Sequence, residues 1–269
     1  MSKIEKYRIN AINSIQTSLT YRFQFFSGIF ILLIPFVIKL SLWKLAFMPD
    51  DTKEIAGYTF NELLVYTIFS MIFSYLNITY FQYNIAFEIK DGSLSRYLVK
   101  PVNHMLYWIS MLIGDKFINV IYVLVFIILA GGIYGNNMDG YIAVCNIPFT
   151  IVTIILSLIL NFLIYYVISL SAFWFLEISY FFSAITFIIS ILSGELMPID
   201  VMPTFVTRIL LFLPFSYSVY FPTQVIMGEL AIKDILFRLI IQIVWITVFV
   251  LFGRLVWNMG VRKYESVGG

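Results

Sequence analysis

Charge is scarce in this sequence. Only 12% of the 269 residues are Asp, Glu, Lys or Arg, and 61% are hydrophobic. A water-soluble domain carries about 25% charged and about 45–50% apolar residues, so an ordinary soluble fold is excluded. Cysteine is nearly absent. Cys145 alone rules out an internal disulfide framework and any multi-cysteine metal site. His104 is the single histidine, so no two-histidine metal site and no His-Glu-x-x-His helix can form. The sequence has no Gly-x-x-x-x-Gly-Lys-Ser/Thr phosphate loop and no Gly-x-Ser-x-Gly elbow. Any ATP that drives this protein is therefore bound by another chain. The start of the chain lacks a continuous apolar stretch with a small-residue cleavage site, so no cleavable signal is expected and insertion depends on the spans.

What is abundant is apolar length, with a mean hydropathy of +0.93. The chain is long enough for six spans of about 20–25 residues. The expected fold is an all-α integral membrane protein forming one domain, 1–269. Residues 1–22 open it. On a helical wheel Ile4, Tyr7, Ala11, Ile12, Ile15 and Leu19 share one face, as in an amphipathic helix lying in the membrane interface. The first span is expected at Phe23–Phe47, kinked at Pro35, with Lys39 snorkelling toward headgroups or, as the alternative, contacting substrate. The second, Phe60–Phe87, is rich in Tyr and Asn and should face protein or a cavity. The third is expected at Met105–Ala130, ended by Gly131-Gly132 with Gly135-Asn136-Asn137. The uncharged run from Tyr141 to Leu176 would be about 54 Å as one helix, so it must reverse. The fourth and fifth spans are placed at Ile147–Ile168 and Phe173–Ser193, and the sixth at Ile235–Trp257. Glu177 falls near the inner end of the fifth, as a structural carboxylate or a functional one. His104, at a loop boundary, reads as a surface or interfacial histidine.

Residues 194–234 are interrupted by Gly194, Pro198, Pro203, Pro214, Pro222 and Gly228. The apolar stretch among them is too short to cross a bilayer. The economical expectation is an outer re-entrant helical hairpin between spans five and six. Of the 17 Lys and Arg residues, Lys39, Lys44, Lys53, Arg208, Lys233 and Arg238 fall on the outer side or outer span ends if the amino terminus is inside. The other eleven are then inner, which by the positive-inside rule puts both termini in the cytoplasm.

The inner loop, 88–104, is the informative one. Gly92 suits a left-handed helix end, Ser93 a helix cap, and Pro101 a stop. Leu94, Tyr97 and Leu98 then share one face of a short surface helix, a plausible docking element for a partner; a plain connector is the alternative. Glu88, Gly92-Ser93-Leu94 and Pro101 match a pattern typical of the first cytoplasmic loop of type-2 ATP-binding-cassette exporter permeases. Gly194-Glu195-Leu196-Met197-Pro198, Pro203, Leu213-Pro214-Phe215-Ser216-Tyr217 and Tyr220-Phe221-Pro222 resemble the outer hairpin of the same family. The closest likeness is to a branch with two permeases and a separate ATPase, and it covers essentially the whole chain.

The resemblance implies a permease subunit without ATPase motifs. It would pair with a second, identical or homologous permease and with two ATPase subunits that hold ATP and Mg. Its partners would include membrane lipids and no nucleic acid, and its place would be the bacterial plasma membrane. Residues 88–104 would couple ATP-driven motion to the spans, with Glu88 tying the second span to its neighbours. Tyr75, Tyr80, Tyr83 and Glu177 are the candidate path residues. An aromatic, apolar lining suits an amphipathic or lipid-like substrate. The rival readings are an ion-coupled carrier, a membrane-embedded enzyme, and a non-transporting scaffold or immunity protein.

Overall fold

A computed structural model describes residues 22–48, 54–99, 103–138, 140–175 and 179–264, with isolated positions 8, 9 and 12. The amphipathic reading of residues 1–22 therefore lies outside the described residues, as do Pro101 and Glu177. Among the described residues the fold is helical, and the only β pairing is an isolated bridge between Ile55 and Tyr58.

Ten α-helices follow in order among the described residues. They are α1 Arg22–Phe47, α2 Phe60–Asn77, α3 Phe81–Lys90, α4 Ser95–Val99, α5 His104–Met138, α6 Ile147–Ser169, α7 Ser179–Leu192, α8 Thr204–Phe212, α9 Tyr220–Met227 and α10 Ile232–Lys263. Four helical stretches among the described residues are long and apolar enough to cross a membrane: Phe60–Lys90, His104–Gly135, Val144–Phe173 and Ile232–Lys263. α1 has 26 residues, about 39 Å of helix. α7 has 14 described residues, about 21 Å of helix.

The core is built on α2, α3 and α6. In the stretch Phe60–Lys90, 72% of the most apolar window is buried, against 11% in α10. The second helix is thus protein-facing, as its Tyr and Asn content requires, and α10 presents its apolar side outward. α6 packs mainly on α10, and α2 on α1 and α5. α9 is buried over its whole length, whereas α8 exposes Phe205 and Phe212.

Two expectations are corrected. The second span is not one helix. It breaks between Asn77 and Phe81, where Ile78 is extended at φ −55°, ψ 128°. No Gly or Pro marks the break, because side chains from other elements hold it open. The third helix does not stop at Gly131-Gly132 but runs through both, and through Gly135, to Met138. A glycine costs a helix only about 1 kcal/mol, and the glycine that turns left-handed is Gly140, at φ +86°.

Candidate functional site

Three polar clusters punctuate this apolar fold. The first is the turn after α3. Gly92 stands at φ +84°, a conformation that an L side chain enters only with strain. The reversal lets the Leu94 N–H reach the Glu88 carbonyl at 2.9 Å. Asp91 Oδ1 accepts the Ser93 N–H at 2.9 Å, and that bond holds its carboxyl below the usual range. The Gly92 carbonyl accepts two hydroxyls, Ser95 Oγ at 2.8 Å and Tyr264 Oη at 2.6 Å. The second of these ties the turn to the end of α10.

Glu88 is 6% exposed. Its Oε1 accepts from the Arg96 guanidinium and, at 2.9 Å, from the Tyr97 hydroxyl. Burial and the adjacent Glu88 carboxylate push the Tyr97 phenol far above its ordinary value, so it remains a donor. Arg96 also lies over the Tyr97 ring, 5.1 Å from its centroid. Beneath them His104 Nε2 accepts from the Trp108 indole at 3.2 Å, and Nδ1 is 3.1 Å from the Tyr166 hydroxyl. An Nε2 that accepts must be unprotonated, which assigns the proton to Nδ1. The ring stacks on Trp257 at 4.4 Å. Four elements thus meet at the turn: α3, α5, α6 and α10.

The second cluster is the break between α2 and α3. Breaking a helix inside a membrane orphans carbonyls that lipid cannot satisfy. Here the Asn161 amide donates to Asn77 O at 2.6 Å, Lys116 Nζ to Ile78 O at 2.5 Å, and Gln82 to Thr79 O at 3.0 Å. The Asn77 amide donates to Phe73 O and to Ser218 O. Beside the break lies a cavity of about 490 Å³, lined by Asn77, Thr79, Tyr80, Gln82 and Tyr83 on one side and by Ser183, Thr186 and Ser190 of α7 on the other.

The third cluster lies at the opposite end of the helices. Asp200 Oδ2 accepts from Tyr58 at 2.8 Å, Tyr220 at 2.6 Å and Gln224 at 2.9 Å. Tyr58 is presented by a tight turn in which Ala56 and Gly57 both take positive φ. Burial and the Asp200 charge raise the Tyr58 phenol far above its ordinary value. Around this knot is a second, polar cavity of about 380 Å³ that includes Glu62, Glu229 and Arg238.

A family model described as ABC-2 family transporter protein matches residues 29–268. The chain belongs to that family. No curated protein matches it. This ABC-2 transporter is therefore a multi-pass membrane protein of a family of membrane subunits that normally work with ATPase subunits.

The ABC-2 chain brings Glu88, Gly92, Ser93, Leu94 and Tyr97 together at one turn. Leu94 is fully buried and Tyr97 nearly so, whereas Leu98 is 45% exposed. Ser93 contributes its N–H to Asp91 and not a cap to α4. Of the path candidates, Tyr80 and Tyr83 line the 490 Å³ cavity, while Tyr75 packs edge-on against Tyr122. In the hairpin region Gly194 takes φ +79°, Pro198 and Pro203 immediately precede helical turns, and Pro214 and Pro222 sit in the first turns of theirs. Tyr217 donates to Leu211 O at 3.0 Å.

Several residues escaped the sequence reading. His104 is 4% exposed, not superficial, because four aromatic rings close around it. Lys39 does not reach for headgroups. Its ammonium donates to Glu195 O at 2.7 Å. The polar residues inside apolar runs, Lys116, Asn161 and Gln224, were the available signal. Replacing Asp200 with Ala should strip the Tyr58 and Tyr220 hydroxyls of their acceptor and cost about 2 kcal/mol. A lowered melting temperature, restored in part by Asp200→Asn, checks this; an unchanged melt would show that the knot is dispensable.

Proposed function

We propose that this chain is the permease subunit of an ATP-driven exporter. The observation that carries the reading is the turn at Gly92. A surface turn that merely connected two spans would need few ties, yet this one is bonded or packed to α3, α5, α6 and α10. Motion imposed on α4 from the membrane surface would reach those helices through Glu88, Leu94 and Tyr264. The sequence holds no phosphate loop, so hydrolysis belongs to partner chains, which would bind ATP and Mg.

In this reading α1, α2–α3, α5, α6, α7 and α10 make six crossings, and α8 and α9 form a hairpin dipping in from the outer side. Both termini lie in the cytoplasm of a bacterial cell, and the protein sits in its plasma membrane. Two ATPase subunits act below a pair of permeases, the second of which is identical or homologous to this chain. The scarcely buried α10 suits contact with lipid or with that second permease. The cargo is an amphipathic or lipid-like molecule, drug or peptide.

Purification from the native membrane in mild detergent tests the proposal. Recovery of a phosphate-loop ATPase at one copy per permease supports it. Recovery of this chain alone at every detergent strength overturns it. The broken second helix and the inward-turned Lys116 favour one rival, an ion-coupled carrier, since such breaks hold coupling ions in carriers. Transport that survives ATP depletion and collapses with an ion gradient would decide for the carrier.

A further inference from the structure

The cavity beside the helix break differs from the rest of the membrane-facing surface. Hydroxyls and amides stand in its largely apolar wall. Ser183, Thr186 and Ser190 recur along one side of α7 at spacings of three and four, which puts them on one helical face. Opposite stand Asn77 and Gln82 of the broken helix. The three α7 residues also line the cavity, Ser190 while its hydroxyl donates to the Phe187 carbonyl at 2.8 Å.

The lining is also incompletely satisfied. Asn77 is 7% exposed and Ser218 2%, yet Asn77 Oδ1 and Ser218 Oγ have no hydrogen-bond partner among the described residues. Buried polar atoms of this kind are uncommon and call for a partner. Asn77 already spends its amide nitrogen on two carbonyls, so what it has left to offer is an acceptor. The single charged residue in the lining is Glu195, an acid. Lys39 lies near it, outside the lining, and donates one of its three N–H bonds to the Glu195 backbone carbonyl. An anion entering this space would meet the Glu195 carboxylate with no basic side chain in the wall to balance it. A head group that donates hydrogen bonds meets that carboxylate as an acceptor. Phe187, Ile189 and Val219 supply apolar wall beside these groups, and the volume of about 490 Å³ is in the range of small-molecule sites.

We infer that this cavity is a binding site, within one subunit, for an amphiphile whose head group donates hydrogen bonds and carries no negative charge. The inference deepens the exporter reading by giving its cargo a chemistry, and it rests on that reading only for the step from binding to transport. An alkylamine and an alkyl glycerol share the required head chemistry. A fatty acid lacks it.

The test uses the full chain in nanodiscs of phosphatidylcholine, titrated with radiolabelled dodecylamine, 1-O-dodecylglycerol or dodecanoate, with counts in empty discs subtracted. Saturable binding of the amine, the glycerol or both, and none of dodecanoate, is the expected result. Loss of amine binding in Glu195→Gln, with glycerol binding kept, would identify the cationic source; equal retention of both would identify the neutral one. Ser190→Phe, which fills the cavity from α7 without touching the Asn77 bonds, should weaken binding by about tenfold or more at an unchanged melting temperature. Thr186→Leu is the second variant should Ser190→Phe fold poorly. Dodecanoate binding as well as the amine, or full binding by well-folded cavity variants, overturns the inference. Neither ATP nor an ATPase is present, so this result stands apart from the co-purification that judges the exporter reading.

Discussion

Leu94→Asp is expected to give a permease that inserts and assembles but exports little, while ATP hydrolysis in the complex continues. Leu94 is fully buried, in the cluster that includes Ile85, Ile89, Tyr97 and Leu170. Losing its side chain from that site forfeits about 2–3 kcal/mol of apolar burial. The new carboxylate would also stand close to Glu88, whose Oε2 has no hydrogen-bond partner among the described residues. Burying it unpaired would cost several kcal/mol more. The chain has a cheaper escape than global unfolding. α4 is only five residues long and lies at the edge of the core, so it can leave its seat while the spans stay packed. What is lost is the connection from α4 to α3 and, through Gly92 and Tyr264, to α10. Gly92→Pro should act alike, because proline is held near φ −65° and cannot take +84°. Transport in vesicles should fall about tenfold or more in both variants, with ATP hydrolysis near the wild-type rate. Normal export by both would show that the turn does not couple.

That turn was largely legible in the sequence, because its signals are local. A glycine that must turn left-handed and an apolar residue two positions on can be read from the residues alone. The carboxylate's partners were partly legible, since Arg96 and Tyr97 lie eight and nine residues beyond Glu88. His104 was not. Its burial depends on Tyr166 and Trp257, 62 and 153 positions along, and nothing in its own neighbourhood announces them. The helix break was hidden for the same reason. Ile78-Thr79-Tyr80 contains no breaker, and the groups that stabilise the open ends, Lys116 and Asn161, come from two other helices. The hairpin lies between these cases. Its prolines and glycines delimit short segments, but the knot on Asp200 draws Tyr58 from 142 residues away.

Gly194→Ala is expected to be among the most destabilising single substitutions in the chain. Gly194 stands at φ +79°, and a Cβ built there would lie 2.9 Å from Tyr220 Cβ, 2.9 Å from the Tyr66 hydroxyl and 3.2 Å from Ile199. Left-handed backbone costs an L residue about 1–2 kcal/mol, and crowding a packed site about 1–3 more. Neither neighbour can give way freely. The Tyr66 hydroxyl donates to the Gly194 carbonyl at 2.6 Å, and Tyr220 is fixed by its N–H to Ser193 O at 3.0 Å and by its hydroxyl to Asp200. Moving the turn would also disturb Lys39, which holds the next carbonyl. A loss of about 2–5 kcal/mol corresponds to a melting temperature lower by roughly 5–15 °C, at about 2–4 °C per kcal/mol for a chain of this size. Pairing the substitution with Tyr66→Phe separates the two causes. Removing the hydroxyl opens space for the new methyl but leaves the backbone strain, so the double variant should melt above Gly194→Ala and below wild type. A double variant that melts no higher than Gly194→Ala would place the whole cost in the backbone, and a wild-type melt for Gly194→Ala would show that the turn is free to shift.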